Sequence, residues 1–196
     1  MATILAPLNL MGYVNRSEVN GPGCRAVVWV QGCRRGCPGC FNPASWSFAP
    51  NQIVPVEEVV EQILADPQNE GVTFSGGEPF WQAPALARVA KQVRAAGLNT
   101  MSFSGFTLAE LQSAAAPPGA QDLLDQLDIL VDGPYVETLA VHDPSSPVSS
   151  RNQRVRVFNP ALSDRIHWAS DQMEVHILKD GSRLVTGYYG QLGLTP

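Results

Sequence analysis

The sequence predicts an α/β fold, a partial (open) β/α barrel of parallel strands with a C-terminal β-hairpin extension. Three observations predict it. Short runs rich in β-branched and aromatic residues at 27–30, 71–75, 98–104 and 128–131 alternate with helical stretches, the pattern of parallel strands joined by helical crossovers. These units are too few to close an eight-fold barrel. Residues 173–189 form two alternating runs around Lys179-Asp180-Gly181, the signature of a hairpin. A core domain is therefore expected over residues 1–158, and an extension packed on it over 159–196.

Taken in order, residues 3–11 are apolar enough for an edge strand or an irregular arm. Asn20-Gly21-Pro22-Gly23 is a turn cluster that delivers the chain into the strand at 27–30. That strand stops at Gln31-Gly32, and a cysteine loop follows. Pro55 suits the first position of a helix. Glu57 and Glu58 suit its positive end, and Val56, Val59, Val60, Ile63 and Leu64 share one face. The strand at 71–75 runs into Gly76-Gly77-Glu78-Pro79. A second amphipathic helix spans 83–96 and ends on Gly97. The strand at 98–104 precedes a short helix over 107–115, opened by Thr107 and Glu110 as a capping box. A helical turn at 122–127 leads to the strand at 128–131, which ends in Asp132-Gly133-Pro134. Residues 135–151 are loop-like, with two prolines and four serines, and 155–158 is a candidate fifth strand. In such sheets ligands bind beyond the carboxyl ends of the strands. The cysteine loop, Gly76-Gly77-Glu78, Ser104-Gly105 and Asp132-Gly133 all follow strand ends, so they are expected on one edge.

Bulk properties exclude several classes. A chain of 196 residues with 44% hydrophobic content has enough apolar surface for a full core. A net charge of −5 argues against nucleic acid as the main partner. No apolar stretch approaches the roughly 18 residues of a membrane span, and the N-terminus has no basic segment of a signal peptide. Four cysteines, three of them clustered, are not a secreted disulfide framework, so a reducing cytoplasmic setting is expected.

The chemistry is concentrated in VVWVQGCRRGCPGCFNPASW, residues 27–46. Cys33, Cys37 and Cys40 are spaced C-x3-C-x2-C. Three thiolates this close can converge on one metal centre. A [4Fe–4S] cube takes one cysteine per iron, so three leave one iron open for a small molecule. A zinc site would need a second C-x-x-C or a paired histidine motif, whereas His142, His167 and His176 are distant and unpaired. A redox C-x-x-C would leave Cys33 unexplained. Zinc, redox thiols and structural cysteines remain as alternatives on the residues alone. Cys24 lies outside the loop and reads as a small buried residue. In Ser75-Gly76-Gly77-Glu78-Pro79 the glycines expose backbone, and the Glu78 carboxylate is suited to pair with an ammonium group. The same motif also fits a plain strand-to-helix turn.

These motifs together resemble the radical S-adenosylmethionine (SAM) family. Within it they are most like the glycyl-radical-enzyme activases of anaerobic ribonucleotide reductase. The resemblance rests on Asn20-Gly21-Pro22-Gly23, Gly32-Cys33, Cys37-Pro38-Gly39-Cys40, Phe41-Asn42, Ser75-Gly76-Gly77-Glu78-Pro79, Asp132-Gly133 and Asn152-Gln153-Arg154, in that order over residues 10–158. It implies that Cys33, Cys37 and Cys40 ligate a [4Fe–4S] cluster. It further implies that Ser75, Gly76, Gly77, Glu78, Ser102, Ser104, Asp132 and Asn152 contact SAM. A flavodoxin- or ferredoxin-type donor would reduce the cluster, whose potential must lie toward the low end of roughly −700 to +450 mV. SAM would then be cleaved to methionine and a 5′-deoxyadenosyl radical that takes a hydrogen atom from a glycine of a partner enzyme. The fold would position the cofactors and exclude solvent. The C-terminal hairpin extends beyond the resemblance and motivates a rival, a radical SAM enzyme acting on a peptide or small metabolite. A second rival is a non-enzymatic iron–sulfur electron carrier, with Cys24 as the fourth ligand. No membrane or nucleic-acid partner is expected.

Overall fold

The computed structural model describes residues 6–141, 143, 145–168, 172–177, 181 and 183–187. Residues 3–5 of the expected arm, His142, Pro144, Lys179, Asp180 and 188–196 lie outside them. Seven strands form one sheet: β1 (Leu8–Ser17), β2 (Arg25–Val30), β3 (Gln52–Val54), β4 (Gly71–Gly76), β5 (Asn99–Ser104), β6 (Ile129–Asp132) and β7 (Arg154–Val157), in the order β3-β1-β2-β4-β5-β6-β7. The four strands β2, β4, β5 and β6 are parallel to one another. The flanking strands are not: β1 is antiparallel to β2, β3 to β1 and β7 to β6. The sheet is open, ending on β3 and β7 among the described residues.

Each antiparallel edge has a local reason. β1 begins as the arm anticipated at 3–11 but runs on to Ser17, because the 18–24 turn folds it straight back onto β2. Its pairing slips twice, between Leu10 and Gly12 and between Val14 and Ser17, which is why its alternation is faint in the sequence. β7 follows β6 through a largely irregular loop that carries no crossover α-helix among the described residues, and it returns antiparallel.

Helices α1 (Val56–Leu64), α2 (Ala83–Ala95), α3 (Leu108–Leu111) and α4 (Ala120–Leu124) complete the crossovers. Pro55 is extended (φ −58, ψ 145) and serves as the N-cap of α1 rather than its first residue. In α1 the buried residues are Val56, Val59, Val60 and Ile63, and in α2 they include Leu86, Val89, Ala90 and Val93. These faces pack on Val28, Phe74 and Leu130 of the sheet as the main core. The capping box at Thr107 and Glu110 forms in both directions, but α3 is a single turn.

The other sheet face carries two smaller clusters, Val14, Val27 and Trp29 on one side and Met101, Ile129 and Val131 on the other. β4 between them presents Thr73 and Ser75, while Val72 and Phe74 face the helices. Apolar side chains therefore do not close that face, and a cavity remains. Strands β8 (Met173–Ile177) and β9 (Arg183–Gly187) form a separate antiparallel pair. This pair is docked on the cavity side, where Leu184 packs on Trp29 and Val14. No helix among the described residues is long and apolar enough to cross a membrane.

Candidate active site

Because β2, β4, β5 and β6 are parallel, their carboxyl ends share one edge, and the loops that leave them meet. Cys33, Cys37 and Cys40, then Gly76, Gly77 and Glu78, then Ser104, Gly105 and Gly133 line one cavity of about 340 Å³. That volume suits a small molecule.

The cysteine loop is closed at its base by backbone. Gly32 N–H donates to Ser45 O (2.7 Å) and Cys33 N–H to Trp46 O (3.1 Å). The buried Gln31 amide donates to Ala44 O (3.1 Å) and Ser47 O (2.8 Å), pinning the returning limb. Inside the loop the Arg35 N–H points at Cys33 Sγ and the Asn42 N–H at Cys40 Sγ, each at 3.4 Å. Burial pushes the Cys33 thiol up, and the Arg35 N–H opposes it. Hydrogen bonds of this kind favour thiolate and tune a bound iron–sulfur centre.

The second loop is built on the first. Gly77 N–H donates to Val30 O (2.8 Å) and Glu78 N–H to Gly32 O (3.0 Å). Gly76 has φ 99, and a Cβ there would lie 2.6 Å from the Val30 backbone; at Gly77 it would lie 2.5 Å from Gly32 O. The paired glycines thus let one strand end rest directly on the other. Glu78 is buried, and its carboxylate accepts from Phe80 N–H (3.1 Å), Ser104 Oγ (3.0 Å) and Gly105 N–H (2.7 Å). It therefore ties the ends of β4 and β5 together as well as lining the cavity. Burial pushes its pKa up to about 7, against the lowering effect of those three donors.

The residues anticipated from the sequence divide by position. Ser75, Gly76, Gly77, Glu78 and Ser104 line the cavity with the three cysteines. Ser102 does not: it is fully buried, and its hydroxyl donates to Phe103 O (3.0 Å). Asp132 is buried behind the wall, accepting from Arg156 Nε (2.8 Å) and Leu108 N–H (2.9 Å). Asn152 donates to Pro134 O (2.7 Å), and its buried Oδ1 has no partner among the described residues; its neighbour Gln153 lines the cavity instead. Two arginines matter more than their sequence setting indicated. Arg35 stacks on Phe106 at 4.2 Å and pairs with Glu110 at 3.0 Å, bracing the cysteine loop against α3. Arg25 is wholly buried, donating to Thr73 Oγ1, Pro22 O, Val72 O and Asn99 Oδ1, and so fixes the 20–23 turn against β4. A charged residue opening an apolar strand one residue after a Gly-Pro-Gly turn was the available signal for Arg25. Tyr135, which meets Phe41 edge-on at 5.3 Å, and Leu184 to Gly187 complete the wall.

The donor set fits an iron–sulfur cube. Three thiols face one cavity, yet among the described residues no three His, Cys, Asp or Glu side chains close on a single ion. A cube takes one thiolate at each of several irons. Cys24 is not part of the set. It lies at the opposite end of β2, about 20 Å of strand from Cys33. There Asn69 Oδ1 is 3.9 Å from its sulfur.

A family model described as a 4Fe-4S single cluster domain matches residues 19–156, from the Asn20 turn through β7. The anaerobic ribonucleoside-triphosphate reductase-activating protein of Escherichia coli (strain K12) is 30% identical over 148 residues, covering 70% of this chain and 90% of the relative. The protein of that name from Vibrio cholerae is 31% identical over 142 residues, 68% and 88% of the two chains. The pyruvate formate-lyase-activating enzyme of Staphylococcus epidermidis is 40% identical over 101 residues, 46% of this chain and 40% of the relative. The chain belongs to the radical SAM glycyl-radical activase family. As a member of that family it is an enzyme whose cofactors are a [4Fe–4S] cluster and SAM. The cysteine loop and the glycine-paired turn of this activase meet where such cofactors would need to be held.

Proposed function

We propose that this activase generates a glycyl radical on an anaerobic ribonucleotide reductase. Its core is an open β/α partial barrel over residues 1–158, with residues 159–196 as an extension packed on it. The observation that carries this proposal is the meeting of Cys33, Cys37 and Cys40 with Gly76, Gly77 and Glu78 on one open cavity. Relatives named as reductase-activating proteins support the choice of partner. When bound, the cluster supplies an electron and SAM supplies the adenosyl carbon that takes the hydrogen atom.

The chain's own residues do the rest. Cys33, Cys37 and Cys40 hold the cluster. The backbone at Gly76 and Gly77 receives the methionine end of SAM, with Ser75 and Ser104 offering hydroxyls beside it. Glu78 keeps the Ser104-Gly105 turn in position and adds negative charge toward an ammonium. Asp132 and Asn152 lie behind the wall and hold β7 and the 133–135 turn in place, through Arg156 and Pro134. Ser102 is also behind it, in the helix-facing layer, and shapes β5 rather than touching SAM. Phe41 and Tyr135, in edge-on contact, form an apolar part of the cavity wall. A cytoplasmic flavodoxin- or ferredoxin-type protein delivers the electron.

The test is anaerobic reconstitution with iron and sulfide, followed by dithionite, SAM and purified anaerobic ribonucleotide reductase. 5′-Deoxyadenosine and a glycyl-radical resonance on the reductase are expected, and both should be lost in Cys37→Ala. 5′-Deoxyadenosine without a protein radical would favour a peptide or small-metabolite substrate. A loaded cluster that never cleaves SAM, even with the reductase present, would favour electron transfer. The remoteness of Cys24 from the three-cysteine loop argues against that last reading.

A further inference from the structure

Hydrogen-atom transfer requires the donor carbon to touch the acceptor, so a partner's glycine must enter the open cavity and its chain must cross the rim. Most of the rim is loop from the parallel strands. The β1–β2 turn and β9 also contribute. Leu184, Val185, Thr186 and Gly187 all line the cavity, whereas no residue of β8 does. Successive side chains of a strand point to opposite faces. Four consecutive lining residues therefore mean that β9 presents an edge, not a face. β9 pairs with β8, and no other strand among the described residues lies beside this edge.

The edge is held in place from below. Thr186 Oγ1 donates to Asn20 Oδ1 (2.9 Å), and the Glu18 N–H donates to Glu174 (2.7 Å). The outer face carries three exposed apolar side chains, Val175 (50% exposed), Ile177 (68%) and Val185 (40%), with Arg183 opposite Ile177. An unpaired edge beside an exposed apolar face is a template for strand addition. The pair also lies beyond the residues 19–156 that the family model matches.

We infer that the free edge of β9, residues 183–187, receives the glycine-bearing segment of the partner enzyme as an added strand, while the partner's apolar side chains cover Val175 and Ile177. A segment around glycine offers few side chains to a pocket, and main-chain pairing is the recognition mode that does not need them. The inference rests on the proposed function and names the docking element for it.

Hydrogen exchange at 183–187 and the partner affinity of Ile177→Asp test it, using the reconstituted full chain and purified anaerobic ribonucleotide reductase. Exchange at 183–187 is expected to slow on adding the reductase. Ile177→Asp should bind it about tenfold more weakly. Because Ile177 does not line the cavity, 5′-deoxyadenosine formation without partner should match wild type. A wild-type protein that makes the glycyl radical with unchanged exchange at 183–187, or an Ile177→Asp variant that binds normally, overturns the docking element and leaves the function standing. A wild type that cleaves SAM but puts no radical on the reductase removes both.

Discussion

Glu78 carries two demands on one carboxylate. Its sequence setting suits an ammonium partner, yet three protein donors already occupy it. Burial raises its pKa from 4.5 to about 7, so between those values the folded chain holds a proton that the unfolded chain has lost. A group of this kind stabilises fully below the unfolded value, and its contribution fades as pH rises through the folded one. The cofactor-free chain should therefore lose stability from this group between pH 4.5 and about 7, then level off. Glu78→Gln should remove that component. Urea unfolding of both proteins across the window checks it, and superimposable pH profiles would refute it. Arg25 is the other decisive residue. Its buried guanidinium satisfies two main-chain carbonyls and two side chains. Arg25→Met leaves those acceptors without a donor and should cost about 2–4 kcal/mol in the same assay.

At the scale of elements, the cysteine loop and the Gly76-Gly77 turn are one unit. The carbonyls of Val30 and Gly32 receive the N–H groups of Gly77 and Glu78, so displacing one loop displaces the other. Gly77→Ala puts a Cβ 2.5 Å from Gly32 O, a backbone atom with no rotamer to turn away. It should cost about 1–3 kcal/mol and lower the iron bound per chain after reconstitution. Gly36→Ala is the control, since nothing lies within 4 Å of its Cβ and only the φ of 57 opposes it, at about 1 kcal/mol. Equal iron loading and equal stability in Gly77→Ala and wild type would contradict this coupling. The alternation of strands and helices was legible because parallel strands need crossovers of substantial length. The edge strands near 3–11 and 155–158 were legible as candidates, but their antiparallel direction and the run of β1 to Ser17 were not, since β1 is broken by two register shifts and β7 is short.

At the scale of the molecule, the sheet leaves one face incompletely filled and the β8–β9 pair lies across part of it. The Thr186–Asn20 hydrogen bond joins residues 166 positions apart, and no local pattern announces it. A double-mutant cycle of Asn20→Ala and Thr186→Val should give a coupling of about 1 kcal/mol; a value near zero would mean the pair does not anchor the extension. The cluster is likewise a property of the whole loop arrangement. Cys24→Ala should retain full iron and sulfide content while Cys37→Ala loses it, by metal analysis and visible absorption. Loss of the cluster in Cys24→Ala would overturn the three-cysteine assignment.

What the sequence by itself determined is what chain proximity encodes. Three thiols within eight residues converge whatever surrounds them, paired glycines at a strand end permit backbone contact, and strand-helix alternation puts four strand ends on one edge. The tertiary structure decided what depends on facing and register. It separated Ser104, at the carboxyl end of β5 where its hydroxyl meets Glu78 on the cavity, from Ser102, on the same strand face but buried further inside the sheet. It turned Asp132 toward Arg156 and made Arg35 a brace between the cysteine loop and α3. It also brought β9 to the cavity rim. Spacing along a chain fixes which groups can meet locally. Which side of a sheet they occupy, and which distant segment covers them, is set only when the layers pack.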